Sequence, residues 1–171
     1  VERTDEQVVR DVLAGDRDAF RLLVRRYGDT MHIHALRMTA NHDEAADLVQ
    51  RALVKGFTKL RSCRDPERIG AWLFRILANM CKDHVRSRRR NDVPLDVVSA
   101  ALTGDSNPEA DAVGAELRSH IWGALEVLTP EQREAFVLKH VEGRSYEEIA
   151  AVMDLSVASL KMRVHRAREA L

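Results

Sequence analysis

Apolar side chains along this chain return every three or four positions, and no stretch alternates convincingly at the period of two that a half-buried strand needs, so the pattern predicts helices throughout. Thr4 and Gln7 form a capping box for a first helix that ends near Gly15, and Asp16 can open a second whose Phe20, Leu23, Val24 and Tyr27 make an apolar side. A third runs roughly from Thr30 to Thr39. Asn41 and Glu44 can cap a long fourth helix reaching about Leu60, with Ala46, Val49, Leu53, Phe57 and Leu60 inward and Asp47, Gln50, Arg51 and Val54 left outside. Beyond the loop Arg61–Asp65, Pro66 starts a fifth helix. Its Leu73, Ile76, Leu77, Met80 and His84 share one side, and it ends in Arg88, Arg89 and Arg90.

From Asn91 to Asn107 the periodicity fades among small and acidic residues with Pro94 and Gly104, the texture of a linker. The expected organisation is therefore all-α: two small helical domains, residues 1–92 and 108–171, joined by a flexible linker at 93–107. In the second, Asn107 with Pro108 can start a helix through Val127, and Thr129, Pro130 and Gln132 start the next, which Gly143 closes. Ser145 to Leu171 then reads as a helix-turn-helix. Ser145 and Glu148 make a capping box, Asp154, Leu155 and Ser156 form the break, and Ser156 caps a final helix. Leu160, Val164, Ala167 and Leu171 lie on one side of that helix, while Ser159, Met162, Arg163 and Arg166 lie on another. A recognition helix needs this division, because one face must pack while the other meets phosphates and base edges. A surface amphipathic helix pair with a solvated charge run is the plainer reading of this segment taken alone.

Charge sharpens the picture. The formal net charge is zero, but residues 1–92 carry 19 Lys+Arg against 14 Asp+Glu, residues 93–127 carry 1 against 6, and residues 128–171 carry 7 against 7. Within the last part, Lys161, Arg163, Arg166 and Arg168 oppose only Glu169 in the final helix, so its positive face is local. On the fifth helix Arg75, Asn79, Lys82 and Arg86 recur at steps of four, three and four, which places them on one face opposite the apolar stripe. With Arg61 and Arg64 in the preceding loop, that face can track a phosphate backbone independently of the final helix. Trp72 suits either the core or stacking on an unpaired base. The exposed row Asp47, Gln50 and Val54 is not a DNA-binding composition; it suits a protein partner helix, or a plain solvated face.

Composition removes other classes. No apolar run approaches the ~20 residues that span a bilayer, and the start Val1–Gln7 does not resemble a signal peptide, so a cytoplasmic location is expected. Cys63 and Cys81 are isolated thiols with no CxxC spacing, and His32 and His34 have no evident third ligand, so neither a metal nor another cofactor is expected. Asp43, Glu44 and Asp47 cluster, but no nucleophile, base and oxyanion-donor set or glycine-rich phosphate loop accompanies them, so an enzyme is the least favoured class.

The segments DAFRLLVRRY, DEAADLVQRAL, AWLFRILANMCKDHVRSRRR and LTPEQREAFVLKHVEGRSYEEIAAVMDLSVASLKMRVHRAREAL together resemble the extracytoplasmic-function sigma factors of bacterial RNA polymerase, in order and over nearly the whole chain. The resemblance implies a promoter-specificity subunit with core RNA polymerase and promoter DNA as partners, commonly held inactive by an anti-sigma factor that can be membrane-bound. It implies that Asp47, Gln50 and Val54 contact the polymerase clamp. The Arg61–Pro66 loop, with Arg64, would hold an extruded minus-ten base, and Asn79, Lys82, Asp83 and Arg86, on the face shared by Arg75, would lie along that element. Ser159, Lys161, Met162, Arg163 and Arg166, with the cap Ser156, would read the minus-thirty-five element. The chain departs from the family pattern at Arg51, where an acidic residue commonly follows the glutamine, and at Ala158, Ser159 and Met162, where Gly, Thr and a small polar residue are frequent. The alternative of another class is a free-standing helix-turn-helix regulator that works without polymerase, against which the acidic and apolar row on the fourth helix argues.

Overall fold

A computed structural model of the chain describes residues 3–90 and 122–171, and all of the regular structure among them is helical. The expected linker at 93–107, and most of the helix expected from Pro108, lie outside the described residues. The first module comprises α1 (Asp5–Leu13), α2 (Phe20–Thr39), α3 (His42–Thr58) and α4 (Ile69–Arg90). The second comprises α5 (122–126), α6 (Pro130–Phe136), α7 (Tyr146–Met153) and α8 (Val157–Ala170).

Local chemistry sets most boundaries where the pattern placed them. Capping boxes form at Thr4/Gln7, Thr129/Gln132 and Ser145/Glu148, each satisfying two backbone N–H groups that the helix start leaves without partners. Ser156 accepts from the Ser159 N–H at 3.1 Å, and Asp154 ends α7 in the left-handed conformation at φ 56°. Gly143, at φ +69°, turns the chain out of a π-helical continuation of α6 over Val137–Val141.

Four expectations need correction. The second and third helices are one, α2, running through Gly28 without a break because both halves bury the same side, Leu23, Met31, Ala35 and Met38, against α3 and α4. Asp16 caps only a 3-10 turn ahead of it. On α3 the inward face is Ala45, Leu48, Val49, Ala52 and Gly56, with Ala46 exposed and Phe57 more than a third exposed, a stripe rotated from the one expected. Gly56 decides this rotation: a Cβ there would lie 2.4 Å from Leu73 Cδ2, so α3 and α4 meet across hydrogen. Asn41 caps α3 alone, since Glu44 turns away to His84 and Arg88. Finally, Leu171 is half exposed, whereas Leu160, Val164 and Ala167 pack inward.

The two modules share one continuous apolar core, and α4 is the element between them. It buries Leu73 and Leu77 on the expected stripe, but also Phe74, Ala78, Cys81 and Val85, because α6 and α7 lie over part of the face expected to be free.

Candidate nucleic-acid interface

The outward row of α3 is as expected. Asp47, Gln50, Arg51 and Val54 are all exposed, Val54 by 60%. Arg51 reaches back one turn to Asp47 at 3.3 Å, so the residue that departs from the family pattern neutralises its acidic neighbour.

The loop after α3 is two 3-10 turns, Leu60–Ser62 and Pro66–Arg68. Between them Cys63, Arg64 and Asp65 edge a cleft whose floor is Trp72 and Arg75 and whose far wall is Ala151 and Asp154 of α7. Arg61 and Arg64 are exposed; Trp72 is half-buried and packs on the core, the first of its two expected environments, while lining the cleft. Burial pushes the Cys63 thiol up, and its S–H donates to the Asp65 carbonyl.

The cationic row of α4 is where the structure departs most from expectation. Arg75 pairs with Asp154, Lys82 Nζ lies 3.0 Å from Glu134 Oε2, and Arg86 pairs with Glu131 as well as with Asp83 at 3.0 Å. Asn79, Asp83 and Arg86 keep exposed positions, but the Lys82 side chain is only 14% exposed. The row does not act independently of the second module, because that module's carboxylates meet three of its cations.

Glu134 is fully buried. Burial raises its pKa, and the ion pair with Lys82, together with the charges of His34 and Arg163, only partly opposes this. Glu142, also of the second module, accepts from His34 Nδ1 at 2.7 Å and from Arg144 Nε at 2.9 Å. Burial alone would raise its carboxyl, but those bonds and charges hold it below the ordinary value. Arg144 in turn lies 4.1 Å over the Phe74 ring of α4.

Arginines of each module also close helix ends of the other. Arg133, 7% exposed, donates to the Met38 carbonyl at the end of α2 and to the Leu125 carbonyl at the end of α5, at 3.2 and 3.1 Å. Arg89 of α4 donates to the carbonyls of Glu126 and Leu128. These carbonyls sit at or just beyond the C-terminal, negative ends of the α2 and α5 dipoles, which a guanidinium complements. Nothing in the hydrophobic pattern marked Arg133, Glu134, Glu142 or His34. The only signal was the capping box at Thr129, which orients α6 without saying what it meets.

On α8 the expected division holds with one exception. Ser156, Ser159, Lys161, Met162 and Arg166 are exposed, Met162 by 52%, while Leu160 and Val164 pack below. Arg163 is half-buried, and its charge acts on Glu134, so it belongs partly to the interior. Among the described residues no three His, Cys, Asp or Glu side chains are grouped to hold a metal ion, and no helix is long and apolar enough to cross a membrane.

Two helical modules, one ending in a helix-turn-helix with an exposed polar and cationic recognition face and the other carrying a cationic helix beside a basic loop, define a bipartite DNA-binding protein of the transcription-initiation class. The comparisons agree. Residues 23–91 match the model of Sigma-70 region 2 and residues 120–171 that of Sigma-70, region 4. The chain is 36% identical to the ECF RNA polymerase sigma-E factor of Escherichia coli K12, over 98% of this chain and 92% of that relative. It is 32% identical to the RNA polymerase sigma-H factor of Pseudomonas aeruginosa PAO1, over 98% and 91%. Among solved structures it is similar to CnrH in complex with the cytosolic domain of CnrY, at TM-score 0.67 and 27% identity over 97% of this chain and 93% of that one. It is also similar to the sigma factor RpoE in complex with the anti-sigma factor NepR from Bartonella quintana, at TM-score 0.63 and 30% identity over 88% and 92%. The chain belongs to the extracytoplasmic-function sigma factors of the sigma-70 family.

Proposed function

We propose that this sigma factor binds core RNA polymerase, directs it to promoters in the cytoplasm, and is held inactive by an anti-sigma factor, at the inner membrane face where that inhibitor is membrane-bound. It contributes no catalytic group. Residues 1–92 and 108–171 act as the two promoter-binding modules, tethered by 93–107. Asp47, Gln50 and Val54 form the polymerase contact, on an α3 face that is exposed among the described residues. The Arg61–Pro66 loop, with Arg64, receives an extruded minus-ten base. Extrusion costs a few kcal/mol of stacking and pairing, so a pocket that holds the base favours the melted state without ATP. Arg75, Asn79, Lys82, Asp83 and Arg86 then follow the strand. In the major groove of the minus-thirty-five element, Ser156, Lys161 and Arg166 meet phosphates, while Ser159, Met162 and Arg163 face base edges. Met162 suits a thymine methyl, and one good base contact is worth about 1–3 kcal/mol of discrimination.

The observation that carries this reading is the pairing of an exposed polar and cationic face on α8 with a second basic surface, the exposed Arg61 and Arg64 beside α4, on the other module. Initiation on genomic DNA by purified core polymerase with and without this protein tests it. The expected result is a set of start sites that appear only with the protein and share two spaced elements upstream; their absence refutes the reading.

A further inference from the structure

Lys139, Tyr146 and Lys161 come from three successive elements and meet at one aromatic ring. Lys139 leaves the π-helical turn Val137–Val141, a rare winding that is frequent at functional sites, Tyr146 is the first residue of α7, and Lys161 lies in the first half of α8. The Lys139 Nζ sits 4.5 Å from the centroid of the Tyr146 ring and the Lys161 Nζ 5.5 Å from it. Both are within the ~6 Å at which a ring face attracts an ammonium. Lys139 is fixed further by donating to the Arg144 carbonyl at 3.2 Å. Among the described residues neither lysine pairs with a carboxylate, whereas Arg75, Lys82 and Arg86 of α4 all do. The positive field there reaches His140, whose pKa is lowered by burial foremost and then by the charges of Arg168 and Lys139. Two like charges gathered at one neutral ring, with no counter-ion of their own, make a seat for an external anion.

We propose that Lys139, Tyr146 and Lys161 form a phosphate clamp beside the recognition helix, in which the Tyr146 ring holds two ammoniums from different elements against the backbone of duplex DNA. This rests on the reading of α8 as the helix that enters the major groove, and it adds to that reading a cation and a positioning residue from outside α8. A helix in the major groove runs between two phosphate backbones, so cations along the edge of its exposed side meet one of them. Lys161 adjoins Met162 on that exposed side, which makes the clamp continuous with the reading face. Phosphate oxygens are anionic acceptors and ammoniums are pure donors, so the match needs no particular base. A lysine free in solvent loses rotamer freedom when it binds; one already held on a ring loses less. Tyr146 therefore acts through the two lysines, by its ring and not by its hydroxyl.

The test measures binding of the full chain to a labelled random-sequence DNA duplex by fluorescence anisotropy over a range of salt, because phosphate contacts carry no sequence information. Lys139→Met, Tyr146→Phe, Tyr146→Leu and the double variant Lys139→Met with Tyr146→Leu are compared with two references. Lys55→Met removes the same charge from an exposed position on α3, and Arg166→Ala removes an exposed cation of α8. Circular dichroism checks that each variant stays helical; Lys139→Met and Tyr146→Phe decide the proposal by themselves if Tyr146→Leu unfolds. Lys139→Met is expected to lower the salt slope by about 1, so that its deficit against wild type grows about threefold as salt falls from about 200 to about 50 mM. Lys55→Met should keep the wild-type slope, and Tyr146→Phe, which retains the ring, should bind as wild type does. Tyr146→Leu should weaken binding, and Lys139→Met should then cost less than it does beside the ring, the coupling that a positioning role requires. A Lys139→Met slope no lower than that of Lys55→Met overturns the clamp. Binding by Tyr146→Phe as weak as by Tyr146→Leu, or an undiminished cost of Lys139→Met in the Tyr146→Leu background, overturns the role of the ring. Arg166→Ala separates the two levels: if it lowers the slope while Lys139→Met does not, the clamp alone fails, and if neither does, the reading of α8 fails with it.

Discussion

Arg133→Met removes the guanidinium that joins the ends of α2 and α5 and keeps an unbranched apolar stem. The wild-type side chain makes two charge-assisted hydrogen bonds to carbonyls, to Leu125 at 3.1 Å and Met38 at 3.2 Å, in a site where it is 7% exposed. Bonds of that kind contribute about 1.5–3 kcal/mol each, so the gross loss is about 3–6 kcal/mol. Against this stands the cost of keeping the cation out of water. Burial foremost, with Arg89 adding to it, lowers the Arg133 pKa from 12.5 to about 10, which corresponds to roughly 3 kcal/mol that methionine does not incur. The net expectation is a destabilisation of about 2 kcal/mol. At about 2–4 °C per kcal/mol for a chain of this size, Tm falls by roughly 4–8 °C, measured by circular dichroism at neutral pH. Arg90→Met, at an exposed arginine on the end of α4, should stay within about 0.5 kcal/mol of wild type. A Tm for Arg133→Met equal to or above wild type would show that the two carbonyls find water or that the buried charge was a net liability, and the helix-end argument would be wrong.

Asp47→Ala with Gln50→Ala should weaken association with core polymerase in a fluorescence titration while leaving stability within about 0.5 kcal/mol, because both side chains are exposed and the Asp47–Arg51 pair is solvated; unchanged core affinity refutes the α3 contact. Arg166→Ala should weaken binding of minus-thirty-five duplexes across sequences and reduce the salt slope by about 1, the signature of one lost phosphate contact; an unaltered slope removes Arg166 from the interface. Of the two thiols, Cys81 is buried and pushed up to about 12, so disulfide-exchange reagents at pH 8 should label only Cys63 in the native chain and both in denaturant. The depressed Glu142 carboxyl contributes stability that is present above its ordinary value of 4.5 and lost as pH falls through its lowered pKa; the raised Glu134 carboxyl contributes in the opposite sense, its share being present below 4.5 and lost as pH rises through its raised pKa. Accordingly, a pH titration of Tm should show Glu142→Gln with less loss on the acid side and Glu134→Gln with a flatter decline above 4.5.

Helix identity and boundaries were legible in the residues because they depend on neighbours three and four positions away. The boxes at Thr4, Thr129 and Ser145 and the cap at Ser156 are pairs of side chain and backbone that form within one turn whatever surrounds them. The exposed faces of α3 and α8 were legible for the same reason: Asp47, Gln50 and Val54, or Ser159, Met162 and Arg166, share a side by helical geometry alone. What failed were readings that needed a partner. The second and third expected helices are one, α2, which runs through Gly28, since burial of Met31 and Ala35 outweighs the roughly 1 kcal/mol that a helical glycine costs. The inward stripe of α3 was misplaced because Gly56, which carries no apolar signal, is where α4 comes closest.

The cationic row of α4 shows the same divide at the functional surface. Its periodicity placed Arg75, Lys82 and Arg86 on one face, and that placement holds. Whether the face meets solvent was decided by α6 and α7, whose carboxylates approach from 45 or more positions away along the chain. Helical spacing is a property of a segment, whereas burial, ion pairing and the shifted carboxyls of Glu134 and Glu142 are properties of two surfaces in contact. Contact energies of that kind depend on distances across the fold, which no local pattern of residues encodes.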